Sequence, residues 1–272
     1  MDFARALPPS GFRHPVPMPS CATCGGTVAP DGRCWDCGGP QPAFRSHLET
    51  TVPAGAAVTD RARRDLNADA AALTASGPWT IGVVCDGVSM SPRADRAAQV
   101  AADTAANVLA SRPAAGALPE HALDEAALRA SRAVTALAAS ADAAPACTYV
   151  AGIAGPDGIW ASWIGDSRAY WLPGDGPGMT LTEDDTDAQD VLTSWLGANA
   201  GDPLPQTRSY RPHGPGTLLL CTDGLWRHLP HPAAYRDRLH GPAPLDDARA
   251  LVQYALDAGT RDNTTALVIR AG

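Results

Sequence analysis

Apolar and polar positions follow two different periods along this chain. Thr80–Cys85 (TIGVVC) is an unbroken apolar run that stops at Asp86-Gly87, which predicts a buried strand ending in a turn. Thr217–Cys221 (TLLLC) repeats that pattern and stops at Asp223-Gly224. Between them the period changes. Ala97, Val100, Ala101, Thr104 and Val108 recur at helical spacing within Arg93–Ser111. Leu123, Ala127, Ala130, Val134 and Leu137 do the same within Leu118–Ser140, so both segments predict helices. Strand-like runs follow at Cys147–Ala154, Ile159–Ile164 and Arg168–Leu172. A helix is expected over Leu245–Asp257 and a last strand over Thr264–Ile269. Two helices between early strands, then a group of strands, point to an α+β domain rather than a regular βαβ alternation.

Outside that domain the pattern breaks down. Residues 1–20 are rich in proline and read as an extended tail. Residues 21–40 form a Cys/Gly module, 41–53 a linker, and 54–272 one large domain. The N-terminal stretch has no apolar leader core, and no apolar run is long enough to span a bilayer, so a cytoplasmic protein is expected. Cysteines in that compartment stay reduced.

Composition narrows the chemistry. The 272 residues hold 21 arginines and no lysine, with 25 aspartates, 4 glutamates and a net charge of −8. The absence of lysine excludes a Walker-A loop, a kinase-type ATP lysine and a Schiff base. The acidic balance argues against nucleic acid as a partner, because phosphate backbones are bound by clustered cations.

Two clusters carry candidate chemistry. Cys21-x-x-Cys24 and Cys34-x-x-Cys37 are each followed by Gly-Gly, and nine residues separate them. Each pair aims two thiolates at one point, and four thiolates make a closed tetrahedral site, so one structural zinc ion is expected. The module is too small to bury a core, so metal binding would supply its folding free energy. Its few charges (Asp31, Arg33, Asp36) form no basic face. The second cluster is dispersed. Asp69, Asp86, Asp166, Asp223 and Asp262 each lie beside an apolar run, within NADA, CDGV, IGDSR, TDGL and RDNTT. One such Asp is a turn or helix cap. Five at strand ends that converge repel one another unless a cation lies among them. An all-oxygen donor set selects hard cations, Mg²⁺ or Mn²⁺.

These residues resemble the metal-dependent serine/threonine protein phosphatases of type 2C. The resemblance spans about residues 45–272 and keeps the family's motif order: Arg64 to Ala70, Val84 to Gly87, Thr148-Tyr-Val-Ala-Gly, Ile164-Gly-Asp-Ser-Arg-Ala-Tyr170, Leu220 to Trp226 and Asp262-Asn-Thr-Thr265. It implies a four-layer α-β-β-α sandwich, here preceded by the zinc ribbon. It also implies two Mn²⁺ or Mg²⁺ ions in a cleft, with a third held more loosely. In the family, the position of Asp86 bridges two ions and that of Gly87 adds its carbonyl. The positions of Asp223 and Asp262 hold one ion, Asp166 lies near the third, and Asp69 acts on the second, often through water. Arg64 matches the phosphate-binding arginine. The implied reaction is hydrolysis of phosphoserine or phosphothreonine in proteins by a metal-activated water, on substrates of serine/threonine kinases.

The match departs at three places. Ala68 stands where the family has Glu or Gln, Val88-Ser89-Met90 replaces a glycine-rich stretch, and no histidine follows Asp86-Gly87. A competing expectation is therefore a weakly active pseudophosphatase that serves as a phosphoprotein-binding scaffold. Other candidates read as structure. Cys85, Cys147 and Cys221 are small core residues in strands. Trp160, Trp163, Trp171 and Trp195 are packing residues. His213, His228, His231 and His240 belong to loops, and the acidic run 183–187 is a solvated loop or helix start, or else the edge of a cleft.

Overall fold

The computed structural model describes residues 21, 23–26, 28, 33–39, 46–111, 116–140, 143–201 and 204–272. The chain divides into two units, Met1–Gln41 and Pro42–Gly272. The expected proline-rich tail lies outside the described residues.

In the larger unit, thirteen strands and five helices follow one another as β1 (His47–Val52), β2 (Gly55–Asp60), β3 (Ala70–Ser76), β4 (Trp79–Cys85), α1 (Ala94–Ser111), α2 (Pro119–Thr135), β5 (Ala146–Cys147), β6 (Tyr149–Gly155), β7 (Gly158–Ile164), β8 (Arg168–Pro173), β9 (Met179–Thr180), β10 (Leu196–Gly197), β11 (Gln206–Tyr210), β12 (Gly216–Cys221), α3 (Asp223–Trp226), α4 (Ala233–Arg236), α5 (Pro244–Asp257) and β13 (Thr264–Ala271). One antiparallel sheet runs β1-β2-β13-β12-β8-β9 and a second runs β11-β7-β6-β4-β3. Helices α1 and α2 cover the second sheet, α5 covers the first, and the sheets face each other. This is the four-layer α-β-β-α order.

Three separate apolar layers hold it together. Between the sheets lie Val84, Val150, Ile159, Trp171, Leu218, Leu220, Leu267 and Ile269. The cross-strand pair Gly82↔Gly152 makes this layer close. A Cβ on Gly82 would lie 2.5 Å from Leu267, and one on Gly152 would lie 2.9 Å from Leu218, so leucines of one sheet fill a trough in the other. Helix α1 buries mainly alanine on its inner face, Ala97, Ala98, Ala101, Ala102, Ala105 and Ala106, with Leu109 and, in its first turn, Asp95. That face packs on Ala122, Ala126, Ala127 and Ala130 of α2 and on β3 and β4 beneath. Helix α5 covers the other sheet with Ala248, Leu251, Val252 and Ala255. Cys85, Cys147 and Cys221 are buried in these layers, as are Trp160, Trp163 and Trp171.

Several features differ from the sequence expectation. The segment expected as a linker carries β1 and the turn into β2. Strands β2 and β3 (GAAVTD, AAALTAS) lack bulky alternation because they are built largely of alanine and threonine, and β1 (HLETTV) is an edge strand exposed along most of its length. The expected helix over Leu118–Ser140 ends at Thr135, where the Ala136 N–H bonds back to Arg132 and Val134 carbonyls. The acidic run is also not simply solvated. Asp184 takes a two-pronged contact from Arg168 at 2.9 and 2.7 Å, and Asp185 accepts the Gly165 N–H at 2.8 Å.

In the small unit, two turns of the same design face one another. The Cys21 N–H bonds the Gly26 carbonyl and the Cys34 N–H the Gly39 carbonyl, at 2.7 and 3.0 Å. Gly25 and Gly38 hold φ of 75° and 71°, the left-handed region that glycine enters without strain. A Cys-x-x-Cys-Gly-Gly sequence thus makes the same knuckle twice.

Candidate active site

The five aspartates singled out in the sequence stand on connections at one end of the two sheets. Asp69 precedes β3, Asp86 follows β4, Asp166 lies between β7 and β8, Asp223 opens α3 after β12, and Asp262 precedes β13. Asp86 is the focus. Burial, followed by the charges of Asp69, Asp223, Asp166 and Asp262, raises its carboxyl well above the usual carboxylate range. Acids drawn from 194 positions of sequence, 69 to 262, therefore act on one group. Their oxygens do not crowd as tightly as the cysteine sulfurs do. Among the described residues, only the four cysteines bring three or more such donor atoms within 4.8 Å of one another.

Asp69 is fully buried, and its Oδ2 accepts the Thr222 hydroxyl at 2.8 Å and the Thr265 hydroxyl at 2.7 Å. Burial pushes its carboxyl up to about 7, against the lowering effect of those two hydroxyls. Asp69 thus ties the NADA, CTDG and DNTT segments together. Burial, then the charge of Asp223, lifts Asp166 to about 6. Asp223 has one oxygen, Oδ2, on Arg227 Nε at 2.9 Å, while its Oδ1 is buried and accepts no hydrogen bond from the described residues. A buried carboxylate oxygen without a donor is costly, and a cation ligated there removes the cost.

Backbone packing sets these positions. A Cβ on Gly87 would lie 2.6 Å from the Ala94 carbonyl oxygen and 2.9 Å from that of Ala68, so only glycine follows Asp86. A Cβ on Gly224 would collide with the Asn263 carbonyl. Ala68 accepts the Gly87 N–H at 3.2 Å and donates its own N–H to Asn263 Oδ1 at 2.8 Å. The Asn263 amide donates in turn to the Arg61 and Leu66 carbonyls, both at 3.0 Å, which shapes the loop that carries Arg64. Arg64 Nη2 then meets Asp262 Oδ2 at 2.7 Å, and that ion pair raises its already high pKa. Thr148 completes the frame. Its hydroxyl accepts the Asp86 N–H at 3.0 Å and lies 2.7 Å from the Ser167 hydroxyl.

The sequence reading overlooked part of this site. Thr59, Thr222 and Thr265 serve as buried hydroxyl ties, and Trp226 and Arg227 flank Asp223. The available signal was a polar residue directly beside a buried acid: Thr222 before Asp223, and Asn263 to Thr265 after Asp262. Trp226 donates its indole N–H to the Asp166 carbonyl at 2.9 Å, and the Arg168 guanidinium stacks on its ring at 3.6 Å.

In the small unit, Cys21 and Cys37 sulfurs lie 3.7 Å apart, and Cys24 and Cys34 sulfurs 3.4 Å apart. Sulfurs on a tetrahedron with Zn–S bonds of about 2.3 Å stand roughly 3.8 Å apart. The donor set therefore fits that ion. The Cys24 N–H, with that of Thr23 behind it, lowers the Cys21 thiol to about 6. Cys24 is raised to about 12 by the neighbouring sulfurs Cys34 and Cys37, although the Gly26 N–H favours its thiolate.

Known structures share the larger unit's architecture. The serine/threonine phosphatase PstP/Ppp of Mycobacterium tuberculosis is 25% identical, with a TM-score of 0.66 over 80% of this chain and 97% of that one. PppA, a regulatory component of the type VI secretion system in Pseudomonas aeruginosa, is 25% identical, with a TM-score of 0.69 over 83% of this chain and 100% of that one. The catalytic domain of PstP, solved with 2 manganese ions, is 23% identical, with a TM-score of 0.66 over 83% of this chain and 100% of that one. No curated protein sequence matches the chain. Fold and relatives together define a serine/threonine phosphatase. The chain belongs to the protein phosphatase 2C family, whose model matches residues 59–252. No helix among the described residues is long and apolar enough to cross a membrane.

Proposed function

We propose that the protein hydrolyses phosphoserine and phosphothreonine in proteins, using divalent Mn²⁺ or Mg²⁺ held in the acid cleft. The observation that carries this reading is the convergence of four acidic charges on Asp86, with the Asp223 Oδ1 buried and without a hydrogen-bond donor among the described residues. An all-carboxylate set suits hard cations, and manganese accompanies the PstP domain. When bound, such ions supply an activated water and offset charge on the transferring phosphoryl group. Asp86, Asp223 and Asp262, with the Gly87 carbonyl, would hold two of them, and Asp166 would serve a looser third. Asp69 spends Oδ2 on two threonines and would act on the second ion through the rest of its carboxylate charge.

The chain's own residues supply the rest. Arg64 is exposed on one flank and anchored by Asp262. Its guanidinium forks onto phosphate oxygens, a geometry that an ammonium does not offer. Thr148, through the Asp86 N–H, and Asn263, through the loop 61–68, fix the two sides of the cleft before substrate arrives. No histidine follows Asp86-Gly87, so the leaving alkoxide takes its proton from water. In the small unit, Cys21, Cys24, Cys34 and Cys37 hold one structural zinc.

The test is release of phosphate from a phosphoserine peptide after chelation and after readdition of Mn²⁺. Activity that requires the ion supports the reading; activity that survives full chelation refutes it.

A second reading rests on Ala68, which brings no carboxylate to the cleft and uses both its backbone groups to bind Gly87 and Asn263. In that reading the second ion binds weakly and the cleft recognises phosphoproteins with little turnover. Metal-saturated kcat separates the two.

A further inference from the structure

We infer that the cavity beside Asp223 and Asp262 is a second anion subsite. It receives a carboxylate or a second phosphate carried by the phosphopeptide next to the residue being dephosphorylated. The inference rests on the phosphatase reading above and specifies the chemistry of the substrate's flank.

The cavity measures about 370 Å³, ample for a carboxylate side chain or a phosphate. Asp223 and Asp262 form the side toward the acid cleft, and the remaining charged lining is basic, Arg227 and Arg261, with His228 beside them. Sequence ties these cations to the cleft. Arg227 lies one helical turn after Asp223, and Arg261 immediately precedes Asp262. A peptide whose phosphoryl group reaches Asp223 and Asp262 has these guanidiniums beside its flanking residues.

Arg227 is built as a fixed cation rather than a wandering one. Its Nε is held on Asp223 Oδ2 at 2.9 Å, and its guanidinium lies 4.8 Å over the Trp226 ring. That ring is fixed by its N–H bond to the Asp166 carbonyl and by Arg168 stacked at 3.6 Å. Arg168 is itself forked on Asp184 at 2.9 and 2.7 Å. The Arg227 side chain remains 47% exposed, and Nε alone is engaged among the described residues. Both terminal nitrogens, with four N–H donors, are left to face a ligand. Little side-chain entropy is lost when such a pre-set fork closes on an anion.

The charge of the whole chain sharpens the point. At −8 the protein repels acidic peptides at long range, so a preference for them has to come from local cations. A purely structural Arg227, present only to neutralise Asp223, would leave the choice of flanking residue untouched.

The test compares three phosphoserine peptides that differ only in flank: alanine, glutamate, or one further phosphoserine. With Mn²⁺ present, the acidic flanks should raise kcat/KM about tenfold over alanine, equivalent to about 1.4 kcal/mol. The advantage should shrink as salt rises. In the double variant Arg227→Ala/Arg261→Ala the ratio should fall to about one, and in Arg227→Glu it should invert. Equal benefit from glutamate and phosphoserine marks a general anion subsite, and benefit from phosphoserine alone marks a phosphate subsite. Equal kcat/KM for all three peptides in the wild type, or a preference that survives the double variant, overturns the inference. Fluorescence anisotropy of the same labelled peptides reads the preference without turnover. Binding with the flank preference but no hydrolysis of any peptide refutes the phosphatase reading and keeps the subsite. Hydrolysis of all three without preference does the reverse, and neither preference nor hydrolysis refutes both.

Discussion

The two proposed metal sites solve one problem in opposite ways. In the small unit, four soft sulfurs come from 17 consecutive positions and stand 3.4 to 3.7 Å apart in pairs. Local turns alone place them, and the finished tetrahedron leaves no position for a substrate. In the large unit, hard oxygens come from five separate connections, and whole sheets must form before Asp86 meets Asp223 and Asp262. That cleft stays open, flanked by exposed arginines. Closed geometry suits structure and open geometry suits chemistry. A metal site written in local spacing depends on the metal to fold, whereas one written in topology depends on the fold to bind.

This contrast can be broken at several points, beginning with the largest effect. In the small unit, Cys34→Ser should abolish zinc binding and unfold the module, because structural zinc supplies of order 10 kcal/mol. Metal analysis of the purified variant should find no zinc, and a retained equimolar ion would remove the module from the comparison. In the large unit, Asp223→Asn should lower Mn²⁺-dependent turnover about 10³-fold, roughly 4 kcal/mol, with the fold retained. A loss below tenfold, with circular dichroism unchanged, would take Asp223 out of the site. Asn263→Ala removes three hydrogen bonds around the Arg61–Ala68 loop. At about 1 kcal/mol each, the cost should be roughly 2–4 kcal/mol by denaturant unfolding.

The pH dependence follows from the raised carboxyls. Asp166 stands at about 6 and Asp69 at about 7, and Asp86 is raised well above the usual carboxylate range. A carboxyl raised on folding contributes stability that is full below about pH 4 and is lost as pH climbs through its folded value. The metal-free protein should therefore melt at lower temperature at pH 8 than at pH 5.5. Mn²⁺ should restore more of the melting temperature at pH 8. An equal metal effect at both values would mean that proton and cation do not compete for these acids. The smallest change is Ala68→Glu, which should lower the Mn²⁺ concentration for half-maximal activity by a few fold.

The same contrast governs what the sequence made legible. The four cysteines were readable from spacing because each knuckle is local. Strands β4, β7, β8, β12 and β13 were readable because buried strands are bulky and apolar, and α1 and α2 because their alanines repeat at helical spacing. Strands β1, β2 and β3 were not, since β1 is an exposed edge strand and β2 and β3 are rich in threonine and alanine, whose burial is decided by the opposite sheet. The five aspartates were nameable one by one from Asp-Gly and Asp-Asn contexts. Their meeting around Asp86 depended on strand order, which no local period encodes. Asp69's double threonine tie and the stack of Arg168, Trp226 and Arg227 join residues more than 40 positions apart, so only the fold brings them into view.

Manganese binding to the zinc-loaded protein, followed by the electron paramagnetic resonance of free Mn²⁺, addresses the acid cleft most directly. Two or more ions should bind per chain, and Asp86→Asn should abolish the tight binding while leaving the zinc in place. Failure to bind manganese below millimolar concentration, or binding that Asp86→Asn leaves intact, would contradict the claim that these scattered aspartates form one cation site.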